Sequence, residues 1–216
     1  MDKKAVLERI TSTGVIPVIR AQSADEAASA IAAIQKGGVS VLEITMTVPG
    51  AIELIREVTR RATDALVGAG TVLDPENALA CIDAGARFVV SPALNLATIE
   101  ICRRYSVPII PGALTPTEVV AAWTAGADVV KVFPCGALGG ASYIKALKAP
   151  LPQIEMIPTG GVSVKTAADF IKAGSMALGV GADLVDTQAI RDGNARVVTE
   201  KAREYVRLVQ EARVAS

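Results

Sequence analysis

The sequence predicts a (β/α)8 barrel, an α/β fold forming one domain over residues 1–216 behind a short N-terminal helix. Three observations carry that expectation. Eight short apolar runs alternate with eight amphipathic segments, one pair about every 25 residues. Glycines punctuate the pattern: Gly38, Gly85, Gly126 and Gly174 recur at intervals of 47, 41 and 48 residues, each just past a helical segment. Hydrophobic residues make up 51% of the chain and aromatics only 3%, which suits short parallel strands buried on both faces. The same alternation also allows an open doubly wound sheet, the alternative architecture. No linker or low-complexity segment divides the chain.

Residues 1–10 place Val6, Leu7 and Ile10 at helical spacing among charges, giving an amphipathic helix and not a signal peptide. The first strand, 15–20, is apolar up to Arg20, and helix 24–36 follows with Ala27, Ile31 and Ile34 toward the core. Ala28, Ala32 and Ala33 give that helix a second, small apolar face. Gly37-Gly38 leads into the second strand, 39–45, and helix 50–62. The third strand, 65–70, precedes helix 75–84, whose start is marked by Asp74-Pro75-Glu76. Strand 87–91 and helix 95–105 come next. Strand 108–112 leads to helix 116–125, opened by Thr115-Pro116-Thr117-Glu118. The sixth strand, 128–133, precedes helix 141–148; the seventh, 154–158, precedes helix 163–173, with Ser163 at its start. The eighth strand, 176–180, and helix 195–212 complete the series.

The balance of charge narrows the function. Lys plus Arg and Asp plus Glu number 22 each, so neither nucleic acid nor a membrane surface is an expected partner. No stretch has transmembrane length without charges or turn residues. Cys81, Cys102 and Cys135 lack metal-type spacing and read as buried thiols of a soluble protein in a reducing cytoplasm. The absence of histidine removes Ser-His-Asp catalysis and His-ligated zinc. No carboxylate cluster gathers at the strand ends, so no metal and no cofactor is expected.

Two charges interrupt the apolar strands: Lys131 within Val129-Val130-Lys131-Val132-Phe133-Pro134, and Glu43 within Val41-Leu42-Glu43-Ile44-Thr45. Burying either alone costs several kcal/mol, or the group gives up its charge. A buried, partly neutral amine is what Schiff-base chemistry requires, and a nearby carboxylate can move the protons. A structural ion pair would explain one such charge; two at like positions in different strands favour catalysis. In a barrel the reactive groups gather at the C-terminal strand ends. There stand Arg20, Glu43 and Thr47, Gly70-Thr71, Ser91-Pro92, Lys131 with Phe133-Pro134, and Thr159-Gly160-Gly161. The run Pro158-Thr159-Gly160-Gly161-Val162-Ser163 leads from strand to helix start and suits an anion. Gly179-Val180-Gly181-Ala182 after the eighth strand completes such a pocket.

This ordered set resembles the KDPG/KHG aldolase family, the class I aldolases of 2-keto-3-deoxy-6-phosphogluconate and 4-hydroxy-2-oxoglutarate. The resemblance spans nearly the whole chain. It runs through Ile16-Pro17-Val18-Ile19-Arg20, Leu42-Glu43-Ile44-Thr45, Gly68-Ala69-Gly70-Thr71-Val72, Val90-Ser91-Pro92, Pro111-Gly112, Val130-Lys131-Val132-Phe133-Pro134 and Pro158-Thr159-Gly160-Gly161. It implies Lys131 as Schiff-base lysine, Glu43 as general acid/base, Thr71 near bound pyruvate and Thr159 near the group that sets stereochemistry. Gly160 and Gly161 would offer backbone donors to a phosphate, and the family typically forms homotrimers. The implied substrate-binding set is Arg20, Thr47, Thr71, Pro92, Phe133, Thr159, Gly160, Gly161, Gly181 and Ala182, acting on a small, phosphorylated keto acid.

Two positions depart from the family pattern. Many members read Glu-Val-Thr-Leu-Arg-Thr at the second strand, with Arg gripping the pyruvate carboxylate; Glu43-Ile44-Thr45-Met46-Thr47 lacks it, and Arg20 on the neighbouring strand is the expected replacement. Ala182-Asp183 stands where many members begin with Ser, removing a hydroxyl and placing a carboxylate near an incoming phosphate. Rival readings are 2-keto-3-deoxy-6-phosphogalactonate aldolase, a phosphate-binding epimerase or isomerase, and a non-catalytic trimeric scaffold or assembly subunit.

Overall fold

The structure, a computed structural model, describes residues 1–62 and 64–215. These residues form ten α-helices and nine strand segments. The strands are β1 (Val15–Ile19), β2 (Val41–Thr45), β3 (Leu66–Gly70), β4 (Val89–Val90), β5 (Ile109–Ile110), β6 (Gly112–Ala113), β7 (Val130–Val132), β8 (Met156–Pro158) and β9 (Leu178–Val180). The helices are α1 (Lys3–Thr13), α2 (Ala24–Lys36), α3 (Ala51–Arg61), α4 (Pro75–Asp83), α5 (Leu96–Arg104), α6 (Pro116–Thr124), α7 (Ala141–Lys148), α8 (Ala167–Lys172), α9 (Thr187–Arg191) and α10 (Ala195–Val214).

All pairings are parallel and follow chain order, β5-β4-β3-β2-β1-β9 and β6-β7-β8. Pro111, which has no N–H to donate, separates β5 from β6, two halves of one expected strand. The Thr159–Gly179 bridge and the Met176 N–H to Met156 carbonyl bond (3.0 Å) join β8 to β9. The eight strand positions therefore close into a barrel, which excludes the open doubly wound sheet.

Side-chain alternation divides the core. One residue or more from every strand position faces inward: Ile16, Val41, Leu66, Phe88 with Val90, Ile110, Val129, Ile157 and Ala177. Val6 and Ile10 of α1 join this interior cluster, so the N-terminal helix plugs the floor of the barrel. The larger cluster, including Ile19, Leu42, Ile44, Val67 and Val130, packs against the outer helices.

The punctuating glycines behave as their spacing predicts: Gly38, Gly85, Gly126 and Gly174 have φ of 91°, 106°, 96° and 96°. Thr115 and Glu118 form the expected capping box, and Asp74 accepts the Asn77 N–H. Other boundaries shift. β2 begins at Val41 because the Val39 N–H still bonds back to Ile34 of α2 (3.4 Å). The helix expected over 163–173 starts only at Ala167. The Thr166 hydroxyl accepts the Ser163 N–H (2.9 Å) and competes with a first helical turn. α9 and a 3-10 turn at Cys135–Leu138 were not expected; α9 buries no residue and so prints no apolar period. On α2, Ala28 and Ala32 are exposed as anticipated, whereas Ala33 is buried beneath α10, whose Thr199 hydroxyl donates to its carbonyl (2.9 Å). None of the described helices is long and apolar enough to cross a membrane.

Candidate active site

Glu43 lies two residues beyond the inward Val41, and Lys131 two beyond the inward Val129, so alternation aims both into the barrel above its apolar interior. Both side chains are about 3% exposed, with Lys131 Nζ 3.9 Å from Glu43 Oε1. That separation is an ion pair but too long for a direct hydrogen bond. Glu43 Oε1 has no hydrogen-bond partner among the described residues, so its accepting capacity is left for a water or a substrate hydroxyl. Burial pushes the Glu43 carboxyl above its ordinary range, and the opposing charges of Lys131 and Arg20 offset only part of that rise. The ammonium also sits 5.4 Å from the centroid of the Phe133 ring.

Glu43 has room to lie over the neighbouring strand because the inward position there is a glycine. A Cβ on Gly70 would lie 2.1 Å from Glu43 Oε1 and 2.6 Å from its Cγ, so the carboxylate rests on the bare Cα of the next strand. A Cβ on Gly179 would lie 2.2 Å from the Thr159 hydroxyl, and one on Gly112 would lie 2.2 Å from the Pro92 carbonyl. The sequence places Gly179 in the pocket loop and Gly70 and Gly112 in segments at the barrel mouth, but does not show the close approach that each allows. Glycine inside a strand pattern signals such close approach. Gly70→Ala should displace Glu43 and lower kcat about 100-fold, while borohydride still traps pyruvate; steady-state kinetics beside a trapping assay would check it.

The remaining expected site residues fall around this pair. Arg20 continues the inward series Ile16, Val18, Arg20 and is exposed at the mouth, its Nη1 3.7 Å from where a Gly181 Cβ would stand. Thr45 donates to the Ile19 carbonyl (2.8 Å), so the Thr47 hydroxyl donates to Thr45 (2.6 Å) at the same rim. Thr71 is half-buried with φ of 57°, a left-handed backbone that costs a β-branched residue energy and fixes its direction. Pro92 and Phe133 are half-buried, and Thr159 is buried against Gly179. Gly160 and Gly161, at φ of 83° and 80°, turn against the loop after β7, where the Gly136 N–H donates to the Gly160 carbonyl (2.8 Å). A cleft of about 630 Å³ opens there between Pro134, Gly136, Gly160, Gly161, Thr166 and Phe170, apart from Lys131.

Two expectations change. The Gly-Gly turn does not run into a long helix, since α8 has six residues, so anion binding there must rest on the turn itself. Ala182 is exposed at the mouth, and the Asp183 carboxylate beside it has its Oδ1 engaged by the Val164 N–H and the Tyr205 hydroxyl. The cysteines are free and buried, and burial pushes the Cys81, Cys102 and Cys135 thiols up to about 11, 12 and 11. Their burial suits a packing role.

A lysine paired with one carboxylate at a glycine-lined barrel mouth invites comparison with known proteins. The sequence matches the KDPG and KHG aldolase family over residues 6–201. The chain belongs to this family. A relative, the KHG/KDPG aldolase of Escherichia coli K12, is 34% identical over 204 residues, which span 94% of this chain and 96% of that protein. The KDPG aldolase of Legionella pneumophila, solved with pyruvate captured as a covalent carbinolamine, superposes with a TM-score of 0.85. It is 30% identical, over 94% of this chain and 97% of its own. A native KDPGal structure gives a TM-score of 0.84 at 34% identity, over 93% and 96% of the two chains. The chain is thus an aldolase of the lyase class with the barrel of its family.

Proposed function

We propose that this aldolase cleaves 2-keto-3-deoxy-6-phosphogluconate to pyruvate and glyceraldehyde 3-phosphate through an imine on Lys131, and accepts 4-hydroxy-2-oxoglutarate as a second substrate. The observation that carries the reading is the buried Lys131–Glu43 pair at 3.9 Å. The unprotonated amine attacks the C2 ketone, and loss of water from the carbinolamine gives an iminium ion. Glu43 accepts the C4 hydroxyl proton as C3–C4 breaks, and the bonding electrons flow into the iminium to leave an enamine. The aldehyde departs, Glu43 returns the proton to C3, and water hydrolyses the iminium to release pyruvate and the amine. Arg20 grips the pyruvate carboxylate beside Thr47 and Thr71, with Pro92 and Phe133 as walls. Thr159 faces C4, and Gly160, Gly161, Gly181 and Ala182 receive the phosphate.

The galactonate epimer is the second reading, since the KDPGal structure matches this chain at the same 34% identity as the Escherichia coli KHG/KDPG aldolase. Pyruvate release from the two epimeric phosphorylated acids and from 4-hydroxy-2-oxoglutarate tests both. Release from the gluconate acid at the highest kcat/KM is expected, and no release from any would contradict the proposal.

Because burial raises the Glu43 carboxyl and catalysis needs it ionised, turnover should fall on acidification at a pH above the ordinary value of 4.5. The sign for stability is opposite. A carboxyl raised by folding adds stability below its unfolded pKa, and that contribution is lost as pH rises through the folded one. A kcat–pH profile in which Glu43→Gln lacks the wild-type acid limb would support the assignment.

We also propose one domain over residues 1–216, a cytoplasmic location consistent with the reduced thiols, and a homotrimer. Leu73 and Leu96 are 57% and 59% exposed, and Asn95 Nδ2 donates to the Leu73 carbonyl (3.1 Å), so both lie on one rim suited to a second copy. Sedimentation at a monomer mass of 22.3 kDa would contradict the trimer.

A further inference from the structure

The loop after β9 carries Gly181 and Ala182, and the loop after β8 carries Gly160 and Gly161. Glycine-rich turns have little side-chain packing to fix their spacing. α8 cannot hold the second loop as a long helix would, because it begins six residues after Gly161. Each turn is held locally, the Gly161 carbonyl by the Thr166 hydroxyl (3.1 Å) and the Gly181 carbonyl by the Leu184 and Val185 N–H groups (3.0 and 2.9 Å), and Asp183 ties one loop to the other. Its Oδ1 accepts the Val164 N–H (3.2 Å) from the loop after β8 and the Tyr205 hydroxyl from α10. Its carbonyl accepts Lys201 Nζ (2.5 Å), also from α10. Tyr205 is wholly buried and among the largest side chains to be so, so its hydroxyl is fixed in direction.

We infer that Asp183 and Tyr205 are positioning residues that lock together the two loops receiving the anionic end of the substrate. The inference rests on the reading that the substrate is phosphorylated. Asp183 lies two residues beyond Gly181 and Val164 three beyond Gly161, so the pin sits directly behind the turns it spaces. The same bonds engage one oxygen of the carboxylate that stands near the phosphate position. Asp183 points its Oδ1 backward into two donors, and the Lys201 ammonium stands at its carbonyl. Burial and the Asp183 contact both push the Tyr205 phenol up, so it stays a donor across the working pH range.

The test compares 2-keto-3-deoxy-6-phosphogluconate with 2-keto-3-deoxygluconate, the same acid without phosphate, in wild type, Tyr205→Phe, Asp183→Ala and Asp183→Asn. Wild type should favour the phosphorylated acid; equal KM values would overturn the phosphate reading and this inference with it. Given that preference, Tyr205→Phe and Asp183→Ala should each raise KM for the phosphorylated acid about fivefold to tenfold. KM for the unphosphorylated acid and the rate of borohydride trapping with pyruvate should stay unchanged. Asp183→Asn keeps an accepting oxygen and should recover most of the loss. An unchanged KM for the phosphorylated acid, or an equal rise for both acids, would overturn the pin while leaving the phosphate reading intact. Should Tyr205→Phe not fold, the half-buried Asp183 pair of variants decides alone.

Discussion

Lys131→Ala should reduce turnover by at least about 10⁴-fold, a loss of roughly 5 kcal/mol of transition-state stabilisation, while the protein still folds. The amine forms the bond to C2, and among the described residues Lys131 is the only buried lysine, so no second amine is at hand to form the imine. Stability is the less obvious half. Breaking a buried ion pair ordinarily costs about 3–5 kcal/mol, because the partner charge is stranded. Here the partner is a carboxyl that burial already drives toward its neutral form. Once the ammonium is gone, Glu43 takes up a proton, so the cost should fall below that range. Pyruvate release and a thermal melt on the same sample check both halves. Near-wild-type turnover would refute the imine mechanism.

Glu43→Gln should separate the chemical steps. The amide matches the carboxylate in shape and fits over Gly70, so the site should keep its packing. Losing a positioned general acid/base costs about 10²–10⁴-fold, and retro-aldol turnover should drop by that amount. Imine formation draws on the Lys131 amine itself, so pyruvate should still be trapped on the variant. Equal loss of trapping and turnover would mean that Glu43 serves chiefly to hold the lysine. Single-turnover cleavage measured beside borohydride trapping distinguishes the two outcomes.

Much of the site was legible from chemistry that clashes with its surroundings. Lys131 and Glu43 stand out because each interrupts an apolar strand, and period-two alternation places both in the barrel once the strand starts are known. What alternation cannot give is distance across the barrel. The 3.9 Å approach depends on Gly70, whose role is visible only when the Glu43 side chain is seen occupying the missing Cβ position. Arg20 is legible as the charge that ends the first apolar strand. Thr71 is legible as a strand-end hydroxyl and its role only from the resemblance, while its left-handed backbone leaves no mark in the sequence.

The misreadings have local causes. Ser163 resembles a helix cap, but the Thr166 hydroxyl captures its N–H and postpones α8. Pro111 splits a strand whose apolar run looks continuous. Asp183 reads as a surface carboxylate facing the pocket because its two donors, Val164 and Tyr205, lie 19 and 22 residues away in the chain. Long-range hydrogen bonds of that kind obey no periodicity.

The central claim is a covalent imine on one residue, and it is tested most directly by borohydride reduction with pyruvate followed by peptide mass mapping. The account predicts a single reduced pyruvyl adduct on Lys131, abolished in Lys131→Ala. No adduct on folded protein at neutral to mildly alkaline pH, or an adduct on another lysine, would contradict it.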